Sequence, residues 1–531
     1  MPEMAQPEED RRLSPPRSPG LPAAATSPVA PGTAAPAAPL GPPALPAANA
    51  PLPPGSSGLP LLGETLPFLK DGFGFVASRT TLHGPIWKTR ILGRPTAVLA
   101  GPDASGRFID SEVQRAGAMP PHVQELFGGS SLPLLDGDPH LSRKTFILQA
   151  FTRDALRAYQ PGIERMVAEA CERWAGQEEI VWIPELKRLA IEVICAMVMG
   201  IPPGPDTEAL RGDYQQVLRA FSKLPVPLPG TAYSRGRAAL ARILARFEVA
   251  IADHRRQPQD DGLSRILAAR DAAGSEIGTE ECKAELHHLI IAGLIVFAEL
   301  AAIVVQLTSH PEVRARLQAE IDAEPATSAT PATPATPATP AMPAMPATSP
   351  YLLQVVMEVK RLCPILPVLF GKARESFEFK GHRVPAGWMV LWAHRASHVT
   401  AEVYPDPESF EFKGHRVPAG WMVLWAHRAS HVTAEVYPDP ERFDPDRFAP
   451  GRGEHLRHPF AFVPHGAGPA HGHRCPGTDF ATTLMQAFAV NLLRGYTWEL
   501  APGQDLDLDW SLIPPEPKDG LRASLRRRRQ A

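Results

Sequence analysis

Cys475 lies in the run Phe462-Val463-Pro464-His465-Gly466-Ala467-Gly468-Pro469-Ala470-His471-Gly472-His473-Arg474-Cys475-Pro476-Gly477, and an apolar helical stretch follows from Thr478 to about Leu493. A cysteine just ahead of a helix N-terminus, beside an arginine, sits where a thiolate is stabilised. The thiolate is also the form that ligates iron. Against this stands the ordinary reading of a lone cysteine as a buried, inert side chain. Upstream, Glu358 and Arg361 place an acid and a base three residues apart on one helical face. Ser349 and Pro350 start that helix as N-cap and N1, and Pro364 stops it. Pro440-Glu441-Arg442-Phe443 lies between this helix and the cysteine loop. Earlier still, His140 and Lys144 are i,i+4 neighbours in Asp136-Gly137-Asp138-Pro139-His140-Leu141-Ser142-Arg143-Lys144, which could equally be a solvated basic face.

The order E-x-x-R, then P-E-R-F, then a glycine-rich loop ending Arg-Cys-Pro-Gly resembles the cytochrome P-450 family of haem-thiolate enzymes. The resemblance extends over roughly residues 52 to 523, with Leu52-Pro53-Pro54-Gly55 and Gly58 to Gly63 similar to the family's entry segment. It implies a mainly α fold with a small β region, the triangular haem-thiolate architecture, with haem b between a long central helix and the cysteine loop. Cys475 would be the iron ligand. His140, Lys144, His473, Arg474 and Gly477 would contact the cofactor, the first two facing its propionates. Glu358, Arg361 and Arg442 would form a buried charge triad beneath it.

The same resemblance implies a monooxygenase that hydroxylates a lipophilic small molecule with O2 and an external electron-transfer partner, a ferredoxin or a reductase. Most members carry an acid–alcohol pair in the central helix for proton delivery. Here Ala292-Gly293 is followed by Leu294, Ile295 and Val296, and Glu299 is the nearest acidic candidate for a catalytic role. The loop Gly472-His473-Arg474-Cys475-Pro476-Gly477 is similar to that of the bacterial fatty-acid peroxygenases, which use H2O2. Their carboxylate-binding arginine is missing, since Ile291 stands at the matching position. Leu289, Ala292, Gly293, Val296, Leu366, Val368 and Ile513 are candidates for an apolar substrate pocket, with ordinary core packing as the competing reading. The entry segment is also similar to that of the retinoid-hydroxylating branch, so a fatty acid, retinoid or terpenoid is expected. A decayed paralogue serving only as a helical scaffold is a third reading.

The elements that must position these residues are legible in composition. The chain has 531 residues and a formal charge of −3, which gives no reason to expect nucleic acid or an anionic membrane as partner. Five scattered cysteines without metal-type spacing fit a reducing cytoplasm, and a monomer is expected. Residues 1–51 read as a disordered Pro/Ala-rich tail without a membrane anchor, and residues 524–531 as a basic tail. The apolar run Leu289 to Leu307 contains Glu299 and Gln306, so it reads as the buried central helix, capped by Thr279 and stopped at His310-Pro311.

Two segments interrupt this plan. Residues 325–349 repeat Pro-Ala-Thr and Pro-Ala-Met, which forbids a helix. Residues 376–408 and 409–441 are identical, a tandem copy of a strand–turn–strand unit. The fold needs the unit once, so one copy must be looped out or half of each used. Only the second copy is followed by arginine, Arg442, where the first is followed by Ser409.

Overall fold

The cysteine helix and the helix that precedes the duplicated unit are set by local chemistry. In the computed structural model, Ser349 Oγ accepts the Leu352 N–H at 3.0 Å and opens helix α5, Pro350–Leu362. Cys363 closes it one residue before Pro364. Helix α6, Thr478–Gly495, begins directly at the cysteine loop with Gly477 as its cap. The structure describes residues 51–109, 113–221, 223, 225–323, 349–363, 365–366, 368–374, 377–393, 416–417, 419–426, 431, 434–509, 512 and 514–528. All of them belong to one compact unit, Pro46–Ala531. The expected tail up to residue 50, nearly all of the low-complexity insert and Ile513 lie outside the described residues.

Four further helices bear on the site: α1 Gly137–Leu148, α2 Trp182–Met199, α3 Thr279–Leu294 and α4 Phe297–Ser309. Their apolar faces meet in one large core that contains Leu289, Leu294, Val296, Leu300, Phe443 and Leu484. The central helix was expected as one continuous segment and is two. The axis is interrupted at Ile295-Val296, where Val296 N–H bonds back to Gly293 and Glu299 N–H to Val296 in tight i→i−3 steps. The N-cap is Gly278, whose N–H donates to Glu281, so Thr279 is the first helical residue rather than the cap. From Thr279 to Ser309 the run is long and apolar enough to cross a membrane, yet 72% of its most apolar window is buried inside the protein.

The duplication produces a wider sheet. Strands β1 Ile86–Ile91, β2 Arg94–Ala100, β3 Val113–Gln114, β4 Val368–Ala373, β7 Ala386–Ala393 and β9 Ala419–Ala426 are ordered β1-β2-β9-β7-β4-β3. β7 and β9 are the same eight residues from the two copies, paired in parallel with Trp421 opposite Trp388 and Leu424 opposite Leu391. β9 also pairs in parallel with β2. Between β7 and β9 the chain is long enough for the crossover of about a dozen residues that a parallel pair requires. A smaller sheet is ordered β6-β5-β8, from β5 Phe377–Phe379, β6 His382–Val384 and β8 Arg416–Val417. Neither expectation for the duplicate therefore holds. Both copies contribute their long strand, because a strand identical to its neighbour matches the pleat and facing of the slot beside it. At the C-terminus the strand Arg522–Arg527 pairs with Tyr496–Leu500 and buries Leu525, so the sheet runs into the segment expected as a tail.

Candidate haem-thiolate site

The cysteine loop is held by its own backbone. Cys475 N–H donates to the His465 carbonyl at 2.9 Å, and Thr478 Oγ1 donates to the Cys475 carbonyl at 2.9 Å. Gly466 has φ +81°, and a Cβ there would come within 3.1 Å of the His473 carbonyl, so this turn requires glycine. Burial pushes the Cys475 thiol up; the Gly477 N–H and the ammonium groups of Lys144 and Lys360 pull the other way. The cations that do so arrive from α1 and α5. A coordinated metal deprotonates a thiol outright, which overrides the burial effect. Cys171, Cys195 and Cys282 are buried, with thiols pushed up to about 12, and are inert packing residues.

Around the loop the fold gathers basic groups from distant parts of the chain. Lys144 Nζ, on α1, donates to the Arg474 carbonyl at 2.5 Å, across 330 sequence positions. The rings of His140 and His473 lie 4.2 Å apart between centroids. Asp136 accepts the N–H groups of Arg115 and Ala116 at 2.7 Å and stands 3.6 Å from His473 Nε2. Burial lowers Lys144 to about 8, opposed by Cys475, and lowers Arg115 to about 10. Burial and neighbouring Lys144 lower His140 to about 4, and burial with Arg115 holds His473 far below its usual range. The two histidines thus stand beside two buried basic side chains, Lys144 and Arg115. Arg115 Nη1 and His140 Nε2 are buried without a hydrogen-bond partner among the described residues. Orphaned donors and crowded positive charge next to a cysteine sulfur fit an iron porphyrin, whose carboxylates would satisfy both.

The charge network contains one correction. Arg361 donates from Nε and Nη2 to the Glu358 carboxylate at 2.6 and 2.8 Å, and both side chains are fully buried. The third member is Arg447, whose Nε lies 3.4 Å from Glu358 and whose Nη1 is 3.0 Å from Glu454. Arg442 is exposed and contributes its carbonyl, which accepts from Arg361 and Arg447. The signal was present in the sequence, because Pro445-Asp446-Arg447-Phe448 repeats the same spacing five residues later, where a short 3-10 helix packs it under α5. Arg361 also donates to the His431 carbonyl at 2.6 Å, and His431 Nε2 accepts the Val463 N–H at 2.7 Å, tying the network to the cysteine loop. His431 and Lys360 were not identified from sequence, since their roles depend on contacts across 32 and 122 positions.

On the central helix, Glu299 is buried and accepts from His465 Nε2 at 2.9 Å. Burial works to raise its carboxyl, but His465 and Lys360 outweigh this and hold it below the usual carboxylate range. Leu289 and Val296 are buried in the core and Ala292 is half-buried. Gly293 does not face a pocket: a Cβ on it would stand 2.4 Å from Ile194 Cγ1, so α3 packs closely against α2 at this position. Leu366 is half-buried, and Val368 opens β4.

Comparison with known proteins agrees with this arrangement. The family model described as Cytochrome P450 matches residues 53–412 and again 410–518, the break falling in the second copy of the duplicate. The chain is 31% identical to cytochrome P450 120 of Synechocystis over 89% of its own length and 96% of that protein. It is 26% identical to abscisic acid 8'-hydroxylase 2 of Arabidopsis thaliana, covering 88% of each chain. A solved structure titled retinoic acid bound cyanobacterial CYP120A1 superposes with a TM-score of 0.75 at 30% identity, over 90% of this chain and 100% of that one. The ligand-free structure of cytochrome P450 OleT shares the fold, with a TM-score of 0.70 over 89% of this chain and 99% of that one. With its family model matched over most of its length and relatives this similar, the chain belongs to the cytochrome P450 family of haem-thiolate monooxygenases.

Proposed function

We propose that Cys475 supplies the thiolate ligand of the haem iron, that Lys144, His140, Arg115 and His473 receive the anionic edge of the porphyrin, and that the substrate is an apolar isoprenoid acid. The activity class follows from the family: an oxidoreductase that inserts oxygen into a lipophilic small molecule. The observation that carries the site assignment is the meeting of Lys144 with the cysteine loop, beside buried polar atoms that lack partners among the described residues. Two relatives support the substrate class. One is bound to retinoic acid and the other is named for abscisic acid, and both ligands join an apolar skeleton to a carboxylate.

Thiolate-ligated haem supplies the oxygen-activating chemistry. The protein's share is positional. Gly466 and the Cys475–His465 backbone bond hold the sulfur in place. Glu358, Arg361 and Arg447 anchor the segment that precedes the loop. Leu289, Ala292 and Val296, with Leu366, Val368 and Ile513, are the proposed apolar wall that orients substrate and excludes water. Electrons come from a separate redox partner. A cytoplasmic monomer is the proposed state, consistent with the burial of its most apolar helix run.

The test begins with the ferrous carbon monoxide spectrum of the purified holoenzyme and of Cys475→Ala, where loss of the thiolate-type band in the variant is expected. Ferric enzyme titrated with retinoic acid, abscisic acid and a long-chain fatty acid is expected to shift its Soret band with the first two. No shift with either would remove the substrate proposal. A peroxide-driven enzyme is the second reading, favoured by the interrupted helix at Ile295-Val296, which has no acid or alcohol from Leu289 to Ala298. Hydroxylated product formed with H2O2 and no reductase would select it.

A further inference from the structure

The geometry points to a positioning role for Glu299 and His465: together they pin the thiolate loop to the central helix. This rests on the reading of Cys475 as the iron ligand. Glu299 belongs to the first turn of α4, immediately after the break at Ile295-Val296, and its side chain is 1% exposed. Its Oε1 lies 2.9 Å from His465 Nε2. A carboxylate only accepts, so the ring must carry its proton on Nε2. The same residue, through its backbone carbonyl, accepts the Cys475 N–H at 2.9 Å. Next in the chain is Gly466, whose left-handed conformation starts the loop. One side-chain bond to the helix and one backbone bond to the cysteine therefore meet in a single residue.

The surroundings argue that the pair is built for this contact. Burying a carboxylate is costly unless it is paired. Lys360 on α5 bears electrostatically on both Glu299 and Cys475, and its Nζ donates to Thr482 Oγ1 at 2.8 Å at the start of α6. Three helices thus converge on the loop through Glu299, His465 and Lys360. Glu299 Oε2 and His465 Nδ1 are both buried without a partner among the described residues.

The experiment uses full-length holoenzyme and reads two quantities that need no turnover: the rate of haem transfer to excess apomyoglobin, and the proportion of thiolate-type ferrous carbon monoxide complex. If the wild-type protein gives no thiolate-type band, the reading of Cys475 fails and the inference falls with it. Given that band, Glu299→Ala is expected to lose haem about tenfold faster and to shift part of the complex to the non-thiolate type, as outer-shell changes do. Glu299→Gln, which still accepts from Nε2, is expected to stay within about threefold of wild type. Equal rates for wild type and Glu299→Ala would overturn the inference, as would Glu299→Gln behaving like Glu299→Ala. If Glu299→Ala does not fold, the contrast is read at His465. There His465→Ala is expected to lose haem about tenfold faster, and His465→Gln, whose amide can still donate, to remain near wild type; equal rates for these two overturn the inference.

Discussion

Arg447 Nε stands 3.4 Å from Glu358 Oε1, and it is this arginine, not Arg442, that completes the buried charge network beneath α5. Removing one partner of a buried, hydrogen-bonded charge set leaves the other uncompensated. Arg447→Ala is therefore expected to destabilise the protein by about 3 kcal/mol or more, while exposed Arg442→Ala stays within about 0.5 kcal/mol. Urea unfolding of the two variants under identical conditions checks the ordering.

Gly293 on the central helix packs against Ile194 on α2 with no room for a Cβ. Gly293→Val is expected to cost about 1–3 kcal/mol through overpacking. Ile194→Ala in the same chain opens space for the new side chain, so the double variant is expected to be more stable than the sum of the single effects predicts. Thermal melts of the four proteins in the cycle measure this coupling.

Because residues 376–408 and 409–441 are identical, deleting either copy yields the same chain. The remaining long strand can lie between β2 and β4, restoring a narrower sheet with one less junction. The deletion variant is expected to bind haem at the wild-type ratio, and its melting temperature to be equal or higher. Loss of haem binding on deletion would show that the second strand has become part of the site. Haem content per chain and the carbon monoxide spectrum are the readouts.

His254 Nε2 lies 2.7 Å from Asp261 Oδ2, both side chains being buried, and this hydrogen bond raises the imidazole above its usual range against the effect of burial. The folded state holds the proton more tightly than the unfolded state. The stabilisation is fully present below about pH 6.5 and is lost as pH rises through the elevated value. His254→Gln is expected to flatten the dependence of melting temperature on pH between about 6 and 8. An unchanged slope in the variant would assign that dependence elsewhere.

Local chemistry made much of the site legible. The rigid loop before Cys475, the Ser349-Pro350 helix start and the i,i+3 pairing of Glu358 with Arg361 all act within a few residues, where spacing alone decides who meets whom. The order of these motifs pointed to the family. The choice between Arg442 and Arg447 was not legible in this way, because the same Pro-x-Arg-Phe pattern occurs twice and only the turn at Pro445–Phe448 buries one of them.

By itself, the sequence determined the helical character, the iron-binding type of cysteine loop and the presence of a repeated unit, since these rest on local propensity and short spacing. Tertiary structure alone decided that Lys144 reaches the cysteine loop, that Glu299 turns toward His465, and that both copies of the repeat enter one sheet. Each of those outcomes is a contact between segments far apart in the chain. It is settled by which buried charges find partners and which strand edges remain open, and neither is a property of the residues taken locally.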